Sequence, residues 1–296
     1  MELLKDFKDN DSLRASFNAL AKETFGLNFE DWYQNGYWTD RYNPHSVVVD
    51  GQVVSNVSVN QTYFEVEGKV LRFLQLGTVM TKPEYRRQGL AKKLMEWIFD
   101  LYEDQVDGIY LFGNDFAYDF YRKMGFEPAK QYGYSFAMEG QEEWQCDSGK
   151  DKVQQVPMAD KAAWDMLENK IKVGTHGCSF DMVDNSQLVM FYVTKFMQGN
   201  VYYHSKLNSY VIAEADGEDL SISMVISPKG EEADLRKLAG AFGPEIKSVT
   251  LGFSPKSVEG IDVKEICEED CTFFIRGNKL KMVEEKKLMV PELAHA

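Results

Sequence analysis

Cysteine, histidine and long apolar runs are all scarce in this sequence. Its 296 residues include four cysteines and four histidines, and the one close cysteine pair, Cys267 and Cys271, has no second pair to complete a zinc site. We therefore expect a reduced, cytoplasmic protein without a metal. The N-terminal stretch is charged almost from its start, unlike a signal peptide, and no run approaches the roughly 20 apolar residues that cross a bilayer. We expect no membrane association.

Positive charge is also in deficit. Lysine and arginine number 33 against 47 aspartates and glutamates, which gives a formal net charge of −14. Nucleic acids and anionic membranes bind basic surfaces, so this balance argues against both as partners. It favours a cationic or amine partner only weakly, because net acidity also keeps an ordinary protein in solution. A chain of this length suggests two domains at about 150 residues each.

A strong strand–turn–helix pattern lies between Leu71 and Phe126. The apolar run 71–80 predicts a strand, Arg86–Ala91 turns directly into an amphipathic helix, and the apolar run 109–112 predicts the next strand. Strand, helix and buried strand in that order indicate a right-handed parallel crossover. The glycine of the turn leaves backbone N–H groups pointing outward at the positive end of the helix dipole. This predicts an anion site suited to a pyrophosphate.

Hairpins and an aromatic-rich segment precede this pattern. Asp50-Gly51 and Glu67-Gly68 lie between apolar runs and predict two hairpins, with separate strands over 52–59 and 60–66. Asp11-Ser12 is expected to cap an N-terminal helix that reaches Phe25. The aromatic residues that follow either pack this helix onto the sheet or line an acceptor pocket: Phe29, Trp32, Tyr33, Tyr37, Trp38 and Tyr42.

A further helix is predicted to begin at Asp115, with Phe116, Phe120 and Met124 facing the core and Gly125 suited to its C-terminal cap. Residues 132–138 predict the last strand of a first domain. The polar stretch 139–152 predicts a linker.

The second half echoes the first. Helices are predicted at 159–172, 186–197 and 231–241, and strands at 201–204, 209–215, 220–226, 248–253 and 271–275. We therefore expect two α/β domains, 1–145 and 150–296, the second of them a degenerate repeat of the first. The second half lacks an Arg-x-x-Gly-x-Ala turn, so we expect it to have no cofactor site.

The turn Arg86-Arg87-Gln88-Gly89-Leu90-Ala91 resembles the Gln/Arg-x-x-Gly-x-Gly/Ala signature of the GNAT superfamily of N-acetyltransferases. About thirty residues later, Phe120-Tyr121-Arg122-Lys123-Met124-Gly125-Phe126 resembles the second hallmark of that family. The resemblance covers roughly Leu13 to Phe136, and the whole chain looks like a tandem member with a degenerate C-terminal copy. It implies the GNAT fold: an α/β protein with a mostly antiparallel mixed sheet, one splayed parallel strand pair and flanking helices.

The resemblance also implies a binding site for acetyl-CoA as co-substrate, with no metal. The amide of Met80 is the implied donor to the reaction oxyanion, and Tyr121 is the implied proton donor to the departing thiolate. The residues implied to hold the co-substrate are Thr78, Val79, Met80, Arg86, Arg87, Gln88, Gly89, Leu90, Ala91, Lys92, Asn114 and Tyr121.

The general base is the point at which the chain departs from the family pattern. Gln75 stands where many members have a glutamate, and glutamine cannot take a proton in that way. A water relay is one alternative, and the other candidates are Glu30, Asp31, Glu65 and Glu67. His295 or a terminal carboxylate would serve only if the chain end folds back, and a frayed tail is the simpler expectation. His45, His176 and His204 are interpreted as structural.

Two functions follow from these features. The first is an N-acetyltransferase that acts on a primary amine of a small molecule or a peptide. The alternative is a non-catalytic acyl-CoA-binding sensor, for which Gln75 is the hint. A nucleotide-binding P-loop is excluded, because no Gly-Lys-Ser/Thr follows the turn. Three roles are open to the second half: covering the pocket, setting specificity or forming a homodimer.

Overall fold

The structure is a computed structural model that describes residues 1–138 and 152–295. The elements of the first half are β1 (Glu2–Leu4), α1 (Asp11–Phe25), α2 (Glu30–Gln34), β2 (Tyr42–Val49), β3 (Gln52–Val66), β4 (Lys69–Thr81), α3 (Leu90–Tyr102), β5 (Gly108–Gly113), α4 (Tyr118–Lys123), β6 (Glu127–Pro128) and β7 (Tyr132–Ala137). Those of the second half are β8 (Gln154–Gln155), α5 (Lys161–Val173), β9 (Asp181–Val183), α6 (Ser186–Lys195), β10 (Val201–His204), β11 (Ser209–Asp216), β12 (Asp219–Ile226), α7 (Leu235–Gly240), β13 (Ser248–Leu251), β14 (Asp262–Glu265), β15 (Thr272–Arg276) and α8 (Met282–Glu285).

The strands form two mixed sheets with the same plan. The first has the order β1-β2-β3-β4-β5-β15-β6, with β9 pairing onto β3, and the second has the order β8-β10-β11-β12-β13-β7-β14. In each sheet the fourth and fifth strands, β4–β5 and β12–β13, are the parallel pair, and every other neighbouring pair along the path is antiparallel. The predicted mixed α/β architecture is confirmed, and the second sheet repeats the first strand by strand.

The two sheets exchange one strand each. β7 was expected to end the first domain, but it pairs with β13 and β14 in the second sheet. In return β15, from the end of the chain, pairs with β5 in the first sheet. The expected division into 1–145 and 150–296 therefore does not coincide with the sheets. Residues 139–151 of the expected linker lie outside the described residues.

Both predicted hairpin turns are present, and their backbone angles explain them. Asp50 and Gly51 have φ of 49° and 75°, and Glu67 and Gly68 have φ of 51° and 75°. Two successive residues with positive φ match the right-handed twist of a hairpin, and glycine adopts such angles without strain. The prediction of two separate strands between these turns was wrong, because β3 runs unbroken over 15 residues.

Helices α1 and α3 lie on opposite faces of the first sheet. Phe17 and Leu20 of α1 pack in one core with Phe73 and Tyr110. Leu94 of α3 packs in the other core, with Leu76, Leu111 and their neighbours. The α1 helix is capped by Asn10 rather than by the expected Asp11-Ser12, since the Asn10 side chain accepts from the Leu13 amide.

Candidate active site

The site begins where the two parallel strands of the first sheet separate. Pairing between β4 and β5 ends at Leu76 and Leu111. Beyond these residues a cavity of about 990 Å³ lies between the diverging segments 77–81 and 112–114. Such a splay leaves one edge of β4 without a strand partner, so its backbone groups are available to a ligand.

The cavity reaches both faces of the sheet. Phe25 and Leu27, at the end of α1, line one side of it, and Arg86 and Ala91, at the start of α3, line the other. Because α1 and α3 cover opposite faces, the gap between β4 and β5 connects them. Two molecules can therefore approach one point from opposite sides.

A β-bulge shapes β4 at this point. Thr78 and Val79 together lie opposite Val57 of β3, between the pairs Ser58–Gly77 and Asn56–Met80. Thr78 has a φ of 42°, which is unusual for a β-branched residue. Its hydroxyl group is hydrogen-bonded to the Tyr42 hydroxyl at 2.9 Å. Its backbone carbonyl accepts a hydrogen bond from the side-chain amide of Asn56 at 3.0 Å. These bonds hold the strained segment that lines the cavity.

The glycine turn presents open amides as predicted from its sequence. Arg87 and Gly89 have φ of 63° and 75°, and Gly89 caps α3 without a side-chain hydrogen bond. Within the described chain, the N–H groups of residues 88–91 donate to no backbone or side-chain acceptor. Unpaired amides at a helix N-terminus form an anion site. Arg86 and Arg87 line the cavity beside them.

The expected site residues are only partly gathered around the cavity. Thr78, Val79, Met80, Arg86, Arg87, Ala91, Asn114 and Tyr121 line it. Gln88, Gly89 and Leu90 do not line it. Lys92 points elsewhere and forms an exposed ion pair with Glu96 at 3.6 Å. The side-chain oxygen of Asn114 is already engaged, because it accepts a hydrogen bond from the backbone N–H of Ala117 at 3.0 Å.

Tyr121 is buried beneath the cavity with its hydroxyl group free. The side chain is 5% exposed and lines the cavity, and its hydroxyl makes no hydrogen bond to a described residue. Burial raises the pKa of Tyr121 to about 12, so the phenol stays protonated and can donate. The ring fits because residue 113 is glycine. A Cβ there would lie 2.6 Å from Cε2 of Tyr121.

No carboxylate lines the cavity among the residues that the structure describes. Gln75 is buried at 1% exposure on the α1 face. Glu30 is held by Arg14, whose hydrogen bonds lower the pKa of that carboxyl. Glu67 forms an ion pair with Lys286, and Glu65 lies at a separate cleft. None of these candidates is placed to take a proton at the splay.

The end of the chain is ordered beside the site, contrary to the expected frayed tail. His295 stacks on Phe112 with ring centroids 3.9 Å apart, and its carbonyl accepts from the Tyr192 hydroxyl at 2.8 Å. Burial lowers the pKa of His295 to about 4, so the imidazole is neutral at ordinary pH. The pairing of Phe112 with His295 joins residues far apart in sequence, and no local pattern signals it.

The aromatic residues before β2 belong to the core. Phe29, Trp32 and Trp38 pack against one another, and Phe191 of α6 stacks on Phe29 at 5.3 Å. Of the two interpretations open from the sequence, packing is the one observed. Phe116 was expected to face the core, but it is 98% exposed at the rim of the cavity.

Residues 9–129 match a family model described as an acetyltransferase (GNAT) domain. The chain carries a GNAT acetyltransferase domain. Among solved structures, a conserved protein of unknown function from Enterococcus faecalis V583, described as a probable N-acyltransferase, is 18% identical with a TM-score of 0.62, covering 97% of this chain and 73% of that one. A GCN5-related N-acetyltransferase from Kribbella flavida is 14% identical with a TM-score of 0.55, covering 95% and 73%.

A third solved structure, Eis1 from Mycobacterium abscessus, is 12% identical with a TM-score of 0.55 and covers 92% of this chain and 73% of that one. At these identities the likeness shows a shared fold alone. No protein of curated function matches the sequence significantly. Within the described ranges, no helix is long and apolar enough to cross a membrane, and no group of His, Cys, Asp and Glu is arranged to hold a metal ion.

Proposed function

We propose that this GNAT protein is an N-acetyltransferase that transfers the acetyl group of acetyl-CoA to a primary amine of a small molecule or peptide. One observation carries the proposal: both ends of the open amide turn, Arg86–Arg87 and Ala91, line the same cavity as the buried phenol of Tyr121. The turn suits a pyrophosphate on the α3 face, and the phenol suits a thiolate at the splay.

The residues present fit acetyl-CoA. The amides of residues 88–91 and the guanidinium groups of Arg86 and Arg87 would bind phosphate, and they are a local positive site in a chain of net charge −14. The free edge of β4 over Thr78–Met80 would pair with the extended arm of the co-substrate, as a peptide pairs with a sheet edge. Asn114 borders the same channel.

Two groups of this chain would stabilise the reaction. The Met80 amide would donate to the oxyanion that develops on the acetyl carbonyl. Tyr121 would donate its proton to the departing sulfur, because a phenol with a pKa of about 12 is protonated at neutral pH, whereas a thiol has a reference pKa near ~8.5. The low exposure of Tyr121 keeps bulk water from competing for the hydrogen bond that its hydroxyl group would donate.

The test is the Tyr121→Phe variant. We expect turnover, measured as thiol released from acetyl-CoA, to fall by about 100-fold while the Kd of CoA is nearly unchanged, because only the proton donor is lost. Tyr203→Phe, which removes a hydroxyl bonded to Asn208 in the second half, is the matched control. Equal turnover in the wild type and Tyr121→Phe would exclude the donor role.

A non-catalytic acyl-CoA sensor is the second candidate, and the buried Gln75 favours it. Such a protein would bind acetyl-CoA in a calorimeter without releasing thiol against any amine of a broad panel. A sustained amine-dependent release of thiol excludes it.

The remaining assignments rest on composition and topology. We propose a cytoplasmic location from the sparse cysteines, and partners other than nucleic acid from the net charge. We also propose that the second sheet is a degenerate GNAT repeat without a cofactor site. In it Asp234 accepts from the Arg236 and Lys237 amides at the start of α7, so those amides are already used. Homodimer formation is a further role open to this half.

A further inference from the structure

The acceptor side of the cavity is uncharged. Thr24 and Phe25 of α1 and Leu27 just after it line this side, and so do Met80 and Phe112 from the face of the sheet that α1 covers. The two arginines of the lining belong to the α3 side, at the glycine turn. Among described residues the lining includes no aspartate, glutamate or lysine. The local surroundings of the acceptor thus differ from the acidic balance of the whole chain.

Large aromatic side chains lie open to solvent at this cavity. Phe25, the last residue of α1, is 46% exposed, and Phe116, just after β5, is 98% exposed. Exposed large apolar side chains at a cavity mark a surface that a ligand covers. Phe25 lies on the acceptor side, where it would contact the body of an entering amine.

A cationic amine would find no partner there. Moving an ammonium group into an apolar pocket without a carboxylate costs free energy, and this pocket offers none. Gln75 cannot accept a proton, and burial lowers the pKa of the His295 ring behind Phe112 to about 4, so that ring is a weak base. An acceptor that arrives as the free base needs neither a counter-ion nor a basic side chain.

We propose that the acceptor is a weakly basic amine on an aromatic body, of the arylamine class, held by Phe25, Leu27 and Phe112. The inference rests on the proposed acetyltransferase function and names its acceptor. In an arylamine the nitrogen lone pair is delocalised into the ring, so the amine is uncharged at neutral pH. The nitrogen–carbon bond forms as the carbon–sulfur bond breaks, and the proton that nitrogen loses balances the one that sulfur gains through Tyr121.

The experiment compares 4-methylaniline, 4-methylbenzylamine and spermidine as acceptors with full-length protein and acetyl-CoA, by thiol release near neutral pH. We expect kcat/KM for the arylamine to exceed that for spermidine by about tenfold or more, since burial of an aromatic ring contributes this much. Phe25→Ala should raise the arylamine KM by about tenfold, and Phe25→Leu should restore most of it. Phe25→Glu should shift preference toward spermidine.

Phe196→Ala is the matched control, because it removes a phenylalanine that is 55% exposed and does not line the cavity. Thermal melts confirm that each variant is folded. A wild type that prefers spermidine or the benzylamine overturns the arylamine assignment and leaves the acetyltransferase proposal standing. If the protein binds acetyl-CoA but releases thiol with none of the three acceptors and with no amine of a broad panel, both proposals are overturned.

Discussion

At the residue scale, the two sides of the cavity depend on different parts of the sequence. The turn Arg86–Ala91 and Tyr121 lie within short motifs, and a motif places its own side chains on its own element. The lining on the α1 side depends on contacts between distant segments. Phe25 is exposed only because α1 ends at the cavity, and His295 meets Phe112 only because the chain end returns to the first sheet.

Gly113 tests how closely the tyrosine is fitted. A Cβ at this position would lie 2.6 Å from Cε2 of Tyr121 and 3.1 Å from Cε2 of Phe274, so Gly113→Ala must displace the tyrosine ring. We expect a loss of stability of about 1–3 kcal/mol from overpacking. Turnover should fall by about 100-fold, because a displaced donor misses the reacting atom. Denaturant melts and thiol-release assays measure the two effects.

Gly133→Ala is the control for this variant. It is also a strand glycine, but its Cβ would lie 3.5 Å from Ile266, an ordinary contact. It should leave stability and turnover nearly unchanged. If Gly113→Ala behaved in the same way, the fit of Tyr121 against the glycine would have no functional importance.

At the element scale, strong local patterns predicted the longer helices and most strands, whereas short elements depended on tertiary pairing. The three-residue strand β9 has no pattern of its own and forms because it pairs with Tyr63–Glu65 of β3. The segment before β9 is held by His176. Its Nδ1 lies 3.0 Å from Asp181 and its Nε2 lies 3.0 Å from the carbonyl of Ile171. Both ring nitrogens face acceptors, which suits a protonated ring.

This ring should make stability depend on pH. Burial alone would lower the pKa of His176, but the hydrogen bond and charge of Asp181 outweigh it, and the pKa is raised. The folded protein therefore keeps the proton to higher pH than the unfolded chain, whose histidine pKa is about 6.5. The stabilisation is complete below that value and is lost as pH rises through the raised pKa.

Urea melts across this range check the expectation. The free energy of unfolding should decline above pH ~6.5 in the wild type and decline less in His176→Gln. Burial lowers the pKa values of His45 and His295 to about 4. These two residues therefore change the free energy of unfolding mainly below pH ~6.5 and do not mask the effect of His176 above it. If the free energy of unfolding falls with pH as steeply in His176→Gln as in the wild type, the His176–Asp181 pair does not cause the decline.

At the scale of the whole molecule, we expect the two sheets to depend on each other. Five residues of β15 pair with β5, and β7 fills the equivalent place beside β13. Each sheet would lose a strand next to its parallel pair if the chain were divided in the middle. An unpaired strand edge of this kind promotes aggregation.

Separate expression of 1–151 and 152–296 tests this dependence. We expect each fragment alone to be aggregated or unfolded by size exclusion and circular dichroism, and the two together to form one folded complex. Full-length protein cut at a protease site inserted within 139–151 should stay assembled. A folded, monomeric 1–151 fragment would contradict the expectation.

The sequence by itself determined the local elements of the first half, the turn with open amides and the place of Tyr121 on its helix, because each depends on residues close together along the chain. The tertiary structure alone decided the strand exchange, the ordered chain end and the lining of the cavity on the α1 side. These depend on contacts between distant segments, such as β5 with β15 and Phe112 with His295, which leave no periodicity or motif. The net charge of −14 favoured a cationic acceptor weakly, whereas we propose an uncharged one, because binding depends on the groups that reach the cavity.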